Sequence, residues 1–527
     1  MTSPLDSPPS LSLAAIELRL RSLLPADLYA AAWIDPSPEN LMRVFGHLRT
    51  LQHILIDYVP RTISQELPQP GVCRHCWEKG TLLFTDLAGF TPLLEAHASE
   101  GIAGAEVLLD LLNRYFAGMI EIISKSSGNL LEFTGDALLV QFTASEPHKQ
   151  VEQAIHAGLR MQRAMEEFSR IETSKGELFL KMRVGLHAGH FVKADIGTPM
   201  RMGHVLLGQA VQIAKRAEGA GQVNRVSLTS AAKALIQEPM RLEPGAPDHW
   251  LVVDDFSNEA LGEYDITLNR RRPATPILFD RSVAGLLAEI ESTLRLVEPL
   301  ACYLPRSVLQ LLVETAAQRK IPPAFPTIAV AFVNLIGLPE SVDVARPEET
   351  EALVNCFSQA FSLINGAVEL RGGILQKVTY HSIGSEMLIH FGVLNPDETD
   401  SIRAADTMLA IRTLIETISP PLVQGQPIQL TYRIGLTYGP VFAAEIGEPR
   451  GRREFNILGD TVNTAARLMG QARPNEILLN QPMQNAIASR FHTHNLGTVV
   501  LKGKSDPEPI FSLESRGTVN ERVALYA

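Results

Sequence analysis

Two aspartates stand next to or near glycines in otherwise apolar stretches, and this pattern suggests shared chemistry. Asp86 lies in "LLFTDLAGFT" and Asp136 in "LLEFTGDALLVQF". If these apolar runs are neighbouring strands of one sheet, their carboxylates converge at its edge. Two carboxylates without histidine or thiolate partners suit a hard cation such as Mg²⁺ or Mn²⁺. The turn at Gly89 could present backbone N–H groups to a phosphate. Taken singly, either aspartate could equally be a simple turn residue.

The same pattern returns about 250 residues later without its carboxylates. "VAFVNLIGLP" repeats the first stretch with Asn334 in place of Asp86, and Ser385 stands in place of Asp136. Further along, "MRVGLHAGH" is answered by "YRIGLTYGP" and "LLGQAVQIAKR" by "ILGDTVNTAAR". The difference in residue number between matched positions changes by only a few residues along the chain. This indicates a duplicated domain with small insertions and deletions in its loops.

The second copy carries polar groups where the first copy has different side chains. The matched pairs are Lys377 with Glu132, Asn456 with Val205, Asn463 with Gln212, and Arg467 with Arg216. One half therefore supplies carboxylates, and the other supplies amides and cations. This division predicts a single ligand held between the two copies.

The elements that must position these residues follow the same order in each copy. A short apolar strand ends at a glycine turn, and a long helix follows, with apolar residues from Leu108 to Ile123 at helical spacing. Two apolar runs around a Gly-Asp pair then predict a β-hairpin. A second helix, another strand and a third helix complete the unit. The pattern predicts an α+β fold with helices packed on a sheet.

Bulk properties are consistent with a globular chain of several domains. The 527 residues are 45% hydrophobic and 20% charged, and the formal net charge is −11. This acidity argues against nonspecific binding to nucleic acid or to anionic membranes. We find no apolar run of about 18 residues and no signal peptide, and four cysteines do not make a disulfide framework, so we expect a cytoplasmic protein without a membrane segment. The lone CxxC of Cys73 and Cys76 is weak evidence for zinc.

Breaks in the pattern divide the chain. "RRRPATP" and "IPPAFP" flank a helical stretch, and the first 78 residues have amphipathic, helical character. We expect five segments, which are an N-terminal helical region (1–78), a first domain (79–270), a partly helical linker (271–322), a second domain (323–515) and a tail (516–527).

The motifs "FTDLAGFT", "EFTGDALL" and "EFNILGDTVNTAAR" resemble those of the class III nucleotidyl cyclases, and most resemble the tandem-domain branch typified by soluble adenylyl cyclase. The resemblance covers residues 79–270 and 323–515. It implies two ferredoxin-like βαββαβ domains that dock head to tail as a pseudo-dimer within one chain, which we expect to be monomeric. Two pseudo-symmetric clefts would lie at their interface.

The resemblance also implies roles for individual residues. Asp86, Asp136 and the backbone carbonyl of Leu87 would bind two divalent cations, Mg²⁺ with Mn²⁺ able to substitute. Lys377 and Asn456 would read the purine, while Asn463 would orient the ribose and Arg467 would stabilise the transition state. The triphosphate would be held by Lys502 and by the turn of Ala88, Gly89, Phe90 and Thr91.

The implied reaction converts ATP to 3′,5′-cyclic AMP and pyrophosphate, through in-line attack of the ribose 3′-oxygen on the α-phosphorus. Lys377 favours adenine, because an ammonium donor suits the N1 acceptor of adenine and not the N1–H of guanine. The amide of Asn456 fits either purine. The alternatives are a guanylyl cyclase and a nucleotide-binding regulatory module without turnover.

The second cleft would lack the metal carboxylates and should not catalyse. Its residues would be Glu132, Arg201, Val205, Gln212, Asn334 and Ser385. In the soluble-cyclase branch this cleft is a bicarbonate pocket held by a lysine and an arginine. Arg201 falls on that arginine, but Glu132 replaces the lysine, and its carboxylate should repel an anion. We therefore expect a Glu132–Arg201 ion pair in an empty pocket, and the alternative is a small-anion or nucleotide effector.

Overall fold

The computed structural model describes residues 12–261, 280–318, 321–449, 451–501 and 506–517. It contains two α+β domains and a group of helices, as the sequence predicts. The predicted boundary at "RRRPATP" lies outside the described residues. Within the described residues, no helix combines the length and the apolar character needed to cross a membrane.

The first domain is built on one mixed sheet with helices packed against it. Its elements are β1 (Arg74–Ala88), α5 (Phe90–Ala98), α6 (Gly101–Lys125), β2 (Asn129–Thr134), β3 (Ala137–Phe142), α7 (Pro147–Ala164), β4 (Ile171–Thr173), β5 (Gly176–Leu178), β6 (Lys181–Thr198), β7 (Arg201–Leu207), α8 (Gln209–Gly219), β8 (Val226–Thr229), α9 (Ser230–Lys233), β9 (Leu242–Pro244) and β10 (His249–Val252). The strand order is β2-β3-β1-β6-β8-β10-β9, and β7 pairs with the far part of β6. The central strands consist largely of consecutive apolar residues because helices cover the sheet.

The second domain repeats this arrangement. Its elements are β11 (Thr327–Ile336), α12 (Leu338–Ser341), α13 (Pro347–Leu370), β12 (Ile374–Tyr380), β13 (Ser385–Phe391), α14 (Asp400–Thr417), β14 (Leu422–Val423), β15 (Gln426–Pro427), β16 (Thr431–Pro440), β17 (Phe442–Gly447), β18 (Arg453–Leu458), α15 (Asp460–Gln471), β19 (Glu476–Asn480), α16 (Gln481–Ile487), β20 (Phe491–Val499) and β21 (Glu508–Arg516). Its order, β12-β13-β11-β16-β19-β21-β20, matches that of the first sheet strand for strand. One difference is that β6 is continuous over 18 residues, whereas the second domain has two strands there, β16 and β17, with Pro440 at the end of β16.

Each domain inserts a two-stranded arm into the core of the other. The β17–β18 arm contributes Phe442, Ala444, Ile446 and Leu458 to the core of the first domain. In return, the β6–β7 arm contributes Val192, Ala194, Ile196, Val205 and Leu207 to the core of the second domain. This reciprocal burial of apolar side chains is what holds the domains head to tail.

The N-terminal helices and the linker helices form one further apolar cluster. The helices are α1 (Leu13–Leu20), α2 (Ala26–Ile34), α3 (Pro38–Tyr58), α4 (Arg61–Gln65), α10 (Val283–Ala301) and α11 (Arg306–Thr315). Their core includes residues of the second domain such as Val330 and Phe455, so the helices pack on that domain and on its arm. The end of α3 is tied to the arm by a hydrogen bond of 2.7 Å from the Tyr58 hydroxyl to Glu445.

Candidate functional site

The carboxylates of Asp86 and Asp136 lie at the same edge of the first sheet. Since β3 pairs with both β1 and β2, the hairpin tip that carries Asp136 comes beside the end of β1, where Asp86 stands. Gly135 adopts a φ of +73°, which the first position of this two-residue turn requires. The structure therefore brings together the two carboxylates that the sequence singled out.

Negative charge at this edge is only partly balanced. The side chain of Arg183, directly opposite Asp86 on β6, forms an ion pair with it. Burial raises the pKa of Asp136 to about 8, and the neighbouring charge of Asp86 adds to this effect. A bound cation would relieve the repulsion and the desolvation together.

The donor set fits a hard divalent cation. Two carboxylates are present, and among the described residues no group of three or more His, Cys, Asp or Glu side chains could hold a metal. The remaining ligands would therefore be oxygens from water, substrate or backbone, such as the carbonyl of Leu87. Such all-oxygen coordination suits Mg²⁺ or Mn²⁺ and disfavours zinc.

The turn after β1 can hold a phosphate only through its backbone. Gly89 has a φ of +95°, and a Cβ atom there would lie 2.3 Å from the carbonyl oxygen of Phe179. This close approach requires glycine. Phe90 is buried in the core, so its side chain packs while its N–H lies at the start of α5, beside Ala88 and Thr91.

Helix α15 of the second domain faces this edge. A Cβ atom on Gly135 would lie 3.9 Å from Leu458, and one on Gly459 would lie 3.6 Å from Leu94 of α5. The start of α15 is thus placed against the hairpin tip of the first domain. Asn463 and Arg467 are partly exposed and share a face of this helix. Within the described residues Arg467 pairs with Asp460 at 3.9 Å, and no ion pair joins it to Asp136.

Lys377 and Asn456 lie deeper in the seam, where the two domains meet. The ammonium of Lys377 donates to the carbonyl of Phe133 in the first domain and to Glu454 Oε1 at 2.5 Å. Asn456 is 1% exposed, and its Oδ1 accepts from the N–H of Ile457 at 3.0 Å. Its Nδ2 has no hydrogen-bond partner in the described part of the chain. An unpaired buried donor of this kind is a natural point for a ligand acceptor.

Around α8, the protein's own side chains occupy the pseudo-symmetric second cleft. Gln212 donates to Glu340 at 2.7 Å, and the backbone N–H of Gln209 donates to Asp343 at 2.7 Å. Arg216, the counterpart of Arg467, donates to the carbonyl of Ser382 in the facing hairpin at 3.0 Å. An effector in this cleft would have to displace these contacts.

Three other residues that the sequence assigned to the second cleft are buried within the protein. Asn334 is buried and donates to the carbonyl of Ile383 at 2.9 Å. Ser385 is buried at the start of β13, opposite Leu335. Val205 is buried in the core of the second domain as part of the β6–β7 arm.

The expected ion pair between Glu132 and Arg201 is wrong. Arg201 donates instead to backbone carbonyls, which are those of Met202, Tyr303, Leu375 and Gln376. Glu132 faces Lys377, with 4.0 Å between Oε1 and Nζ. Both residues stand directly after a register shift, Glu132 in β2 and Lys377 in β12, and such a shift changes the direction of a side chain.

Burial also changes the charge assumed for Glu132. It raises the pKa of this carboxyl to about 8, although the nearby Lys377 acts in the opposite direction. The group is therefore mostly neutral at pH 7, and the repulsion of an anion expected from the sequence sets in only at higher pH. Glu132, Arg201 and Lys377 line a cavity of about 100 Å³, which Tyr58 of α3 and Tyr303 of the linker help to enclose.

Sequence reasoning missed Glu454 and Arg183. Glu454 stands two residues before Asn456 on β18, so strand alternation places both on one face, and this spacing was the available signal. Arg183 could have been found only from the register of β1 and β6. Lys502 lies outside the described residues.

Comparison with known proteins identifies a family. The sequence model of the adenylate and guanylate cyclase catalytic domain matches the chain twice, over residues 74–247 and 322–515. Adenylate cyclase type 10 of Mus musculus is 24% identical over 451 residues, and that of Homo sapiens is 24% identical over 450 residues. These matches cover 82% and 83% of this chain but 26% of each relative, so the chain spans about a quarter of their length.

A solved structure shares the two-domain fold. A class III adenylyl cyclase-like ATP-binding protein from Pseudomonas aeruginosa superposes with a TM-score of 0.53 at 14% identity, covering 84% of this chain and 92% of that one. At this identity the likeness concerns the fold alone. Because the family model matches more than half of its length in two ordered copies, the chain belongs to the adenylate and guanylate cyclase catalytic domain family.

Proposed function

We propose that this protein is an adenylyl cyclase, which converts ATP to 3′,5′-cyclic AMP and pyrophosphate in the cleft beside Asp86 and Asp136. The observation that carries the proposal is the asymmetry of the two clefts. One cleft has a carboxylate pair on one side and, on the other, the partly exposed face of α15 that carries Asn463 and Arg467. At the matched positions beside α8, the other cleft is occupied by its own side chains.

Asp86 and Asp136 would hold the divalent cations of this cleft. When bound, the cations would lower the pKa of the ribose 3′-hydroxyl and neutralise charge on the triphosphate. Asp136 must give up its proton to serve as a ligand, because burial holds its pKa at about 8 in the free protein. The ion pair with Arg183 keeps Asp86 directed along the sheet edge.

The second domain would supply the groups that position the substrate. Arg467, on the partly exposed face of α15, would donate to the α-phosphate as negative charge builds there, and Asn463 would orient the ribose from the preceding turn. Their neighbour Asp460 holds the guanidinium of Arg467 in the free protein. The ammonium of Lys377 would donate to adenine N1.

The names of the relatives support the choice of ATP. The two matched mammalian proteins are named adenylate cyclases, and the matched protein of Pseudomonas aeruginosa is described as ATP-binding. A second candidate is a guanylyl cyclase, which the free Nδ2 of Asn456 favours, because an amide donor suits the carbonyl O6 of guanine.

The test is a cyclase assay with purified protein, in which ATP and GTP are offered in parallel with Mn²⁺ or Mg²⁺. We expect cyclic AMP as the main product, and we expect Asp136→Ala to abolish it. Ser385→Ala, the matched change in the closed cleft, should leave the rate within a few-fold of the parent. If neither nucleotide is turned over while ATP binds tightly, the protein is a nucleotide-binding module and the proposal fails.

A further inference from the structure

The purine end of the proposed active cleft contains an acidic residue, Glu454, that has no role in the proposed reaction. It lies on β18, and strand alternation places Arg452, Glu454 and Asn456 on one face of this edge of the arm. Glu454 therefore stands beside the amide whose Nδ2 has no partner in the described part of the chain.

The carboxylate of Glu454 is occupied by cations on both of its oxygens. Oε1 accepts from Lys377 Nζ at 2.5 Å, and Oε2 lies 3.7 Å from Arg452 Nη2. The side chains of Lys377, Glu454 and Arg452 are 11%, 12% and 5% exposed, so the pairing takes place largely out of water. A buried pair of this kind fixes the direction of the ammonium.

The ammonium of Lys377 has three N–H donors, and two of them are committed. One reaches the carbonyl of Phe133 across the seam, and one reaches Glu454. Among the described residues, Glu132 Oε1 also faces this ammonium but lies 4.0 Å away, beyond hydrogen-bond distance, so the third donor is available to a ligand acceptor. Asn456 adds a second donor, because its Oδ1 already accepts from the N–H of Ile457, so the amide orientation is set and Nδ2 is free.

The two purines differ at the edge these groups would meet. Adenine presents an N1 acceptor beside an amino donor, whereas guanine presents an N1–H donor beside the O6 acceptor. A directed ammonium suits adenine N1 and opposes guanine N1–H. A carboxylate does the reverse, because it accepts from guanine N1–H and from the 2-amino group.

We propose that Glu454 sets the purine choice of this cleft. Paired with Lys377, it positions the ammonium toward the N1 acceptor of adenine and is itself unavailable to guanine. Without Lys377 the same carboxylate would accept from guanine N1–H, while Asn456 Nδ2 donates to O6. This inference rests on the proposed function, which places the purine between Lys377 and Asn456.

The experiment is a double-mutant cycle on Lys377→Met and Glu454→Gln. For the parent, both single variants and the double variant, kcat/KM is measured with ATP and with GTP. The affinity for each nucleotide is measured separately by calorimetry, which does not depend on turnover. Glu454→Asp is added as a second variant, which keeps the charge if Glu454→Gln fails to fold.

We expect Lys377→Met to lower kcat/KM for ATP at least about 10-fold. The ratio of kcat/KM for GTP to kcat/KM for ATP, called the GTP:ATP ratio below, should rise at least about 10-fold, because a purine that leaves buried hydrogen-bonding groups unpaired is strongly disfavoured. Glu454→Gln alone should raise KM for ATP more than it lowers kcat, with no gain in GTP use. In the double variant, the gain in the GTP:ATP ratio should disappear. Glu454→Asp should retain part of the ATP affinity.

The matched control is Glu445→Gln on β17, since Glu445 pairs with Arg453 and Tyr58 rather than with Lys377. It should leave the GTP:ATP ratio unchanged. The proposal is overturned if the ratio gained in Lys377→Met persists in the double variant, or if Glu454→Gln leaves the KM for ATP unchanged. If the parent binds ATP but makes no product, the same comparison is made with the ratio of the calorimetric affinities for GTP and ATP, and that ratio decides the proposal. If the parent binds neither nucleotide, the proposed function and this inference both fail.

Discussion

Replacing Glu132 by glutamine should stabilise the protein, and the gain should grow with pH. Burial raises the pKa of this carboxyl from an ordinary value of 4.5 to about 8 in the folded chain. Between these two values the folded state holds a proton that the unfolded state has lost, so the free energy of unfolding falls as pH rises through this window. The free energy of unfolding falls by about 1.4 kcal/mol for each pH unit in this window. Between pH 4.5 and pH 7 the loss is therefore about 3 kcal/mol.

Glutamine keeps the shape of Glu132 and cannot ionise, so it removes this cost. The difference in unfolding free energy between Glu132→Gln and the parent should be near zero at pH 4.5. It should approach about 3 kcal/mol at pH 7 and level off above pH 8, where the folded carboxyl also ionises. Urea denaturation of both proteins at pH 5, 7 and 8.5 measures the difference. Glu121→Gln, at an exposed carboxylate paired with Lys125, is the control and should show no trend with pH.

One result would refute this reasoning. If Glu132→Gln destabilises the protein equally at pH 5 and pH 8.5, then Glu132 is ionised in the folded state and its attraction to Lys377 outweighs desolvation. The cavity beside it would then carry one more negative charge at neutral pH, and the sequence-based argument against anion binding would be restored.

Three further predictions test the two clefts and the helical cluster. Arg467→Ala should lower kcat on the order of 10²–10³-fold with a smaller change in KM, whereas Arg216→Ala at the matched position of the closed cleft should change kcat by less than about 3-fold; steady-state kinetics measures both. Glu340→Ala should leave Gln212 without its partner and lower the unfolding free energy by about 1–3 kcal/mol in urea denaturation, with no change in the KM for ATP. Asp57→Asn, at a fully buried carboxylate 3.5 Å from the Arg453 guanidinium, should destabilise by about 1–3 kcal/mol in the same assay, because Arg453 then keeps only Glu445 as an acidic partner in the part of the chain that the structure describes.

The order of elements was predictable because it depends on local patterns. The helices and strands could be predicted from the spacing of apolar residues and from the Gly-Asp hairpin turn. Because the domain is duplicated, each element could be predicted independently in both copies. The meeting of Asp86 with Asp136 needed the further assumption that their strands are neighbours, and the pairing of β1 with β3 confirms it. The exchange of arms between the domains was not predictable. The apolar residues of the β17–β18 and β6–β7 arms show that the arms are buried but not in which domain.

The surroundings of Glu132 could not be predicted for a different reason. It stands directly after a register shift in β2, as Lys377 does in β12, and such a shift leaves little trace in a single sequence. Its protonation depends on burial by residues far away in the chain, among them Tyr58 and Tyr303. Charge drawn from residue type alone was therefore misleading at this position.

The second copy has no carboxylates at the positions that match Asp86 and Asp136, but it has others nearby that serve a different purpose. Glu340 and Asp343 lie just after the turn of the second domain, where the first domain has its candidate phosphate loop. They bond to Gln212 and to the N–H of Gln209 across the seam. Acidic side chains of the protein thus occupy a position where a substrate phosphate would lie in an active cleft. Such contacts join the two domains, so this cleft can stabilise the interface on which the proposed active cleft depends.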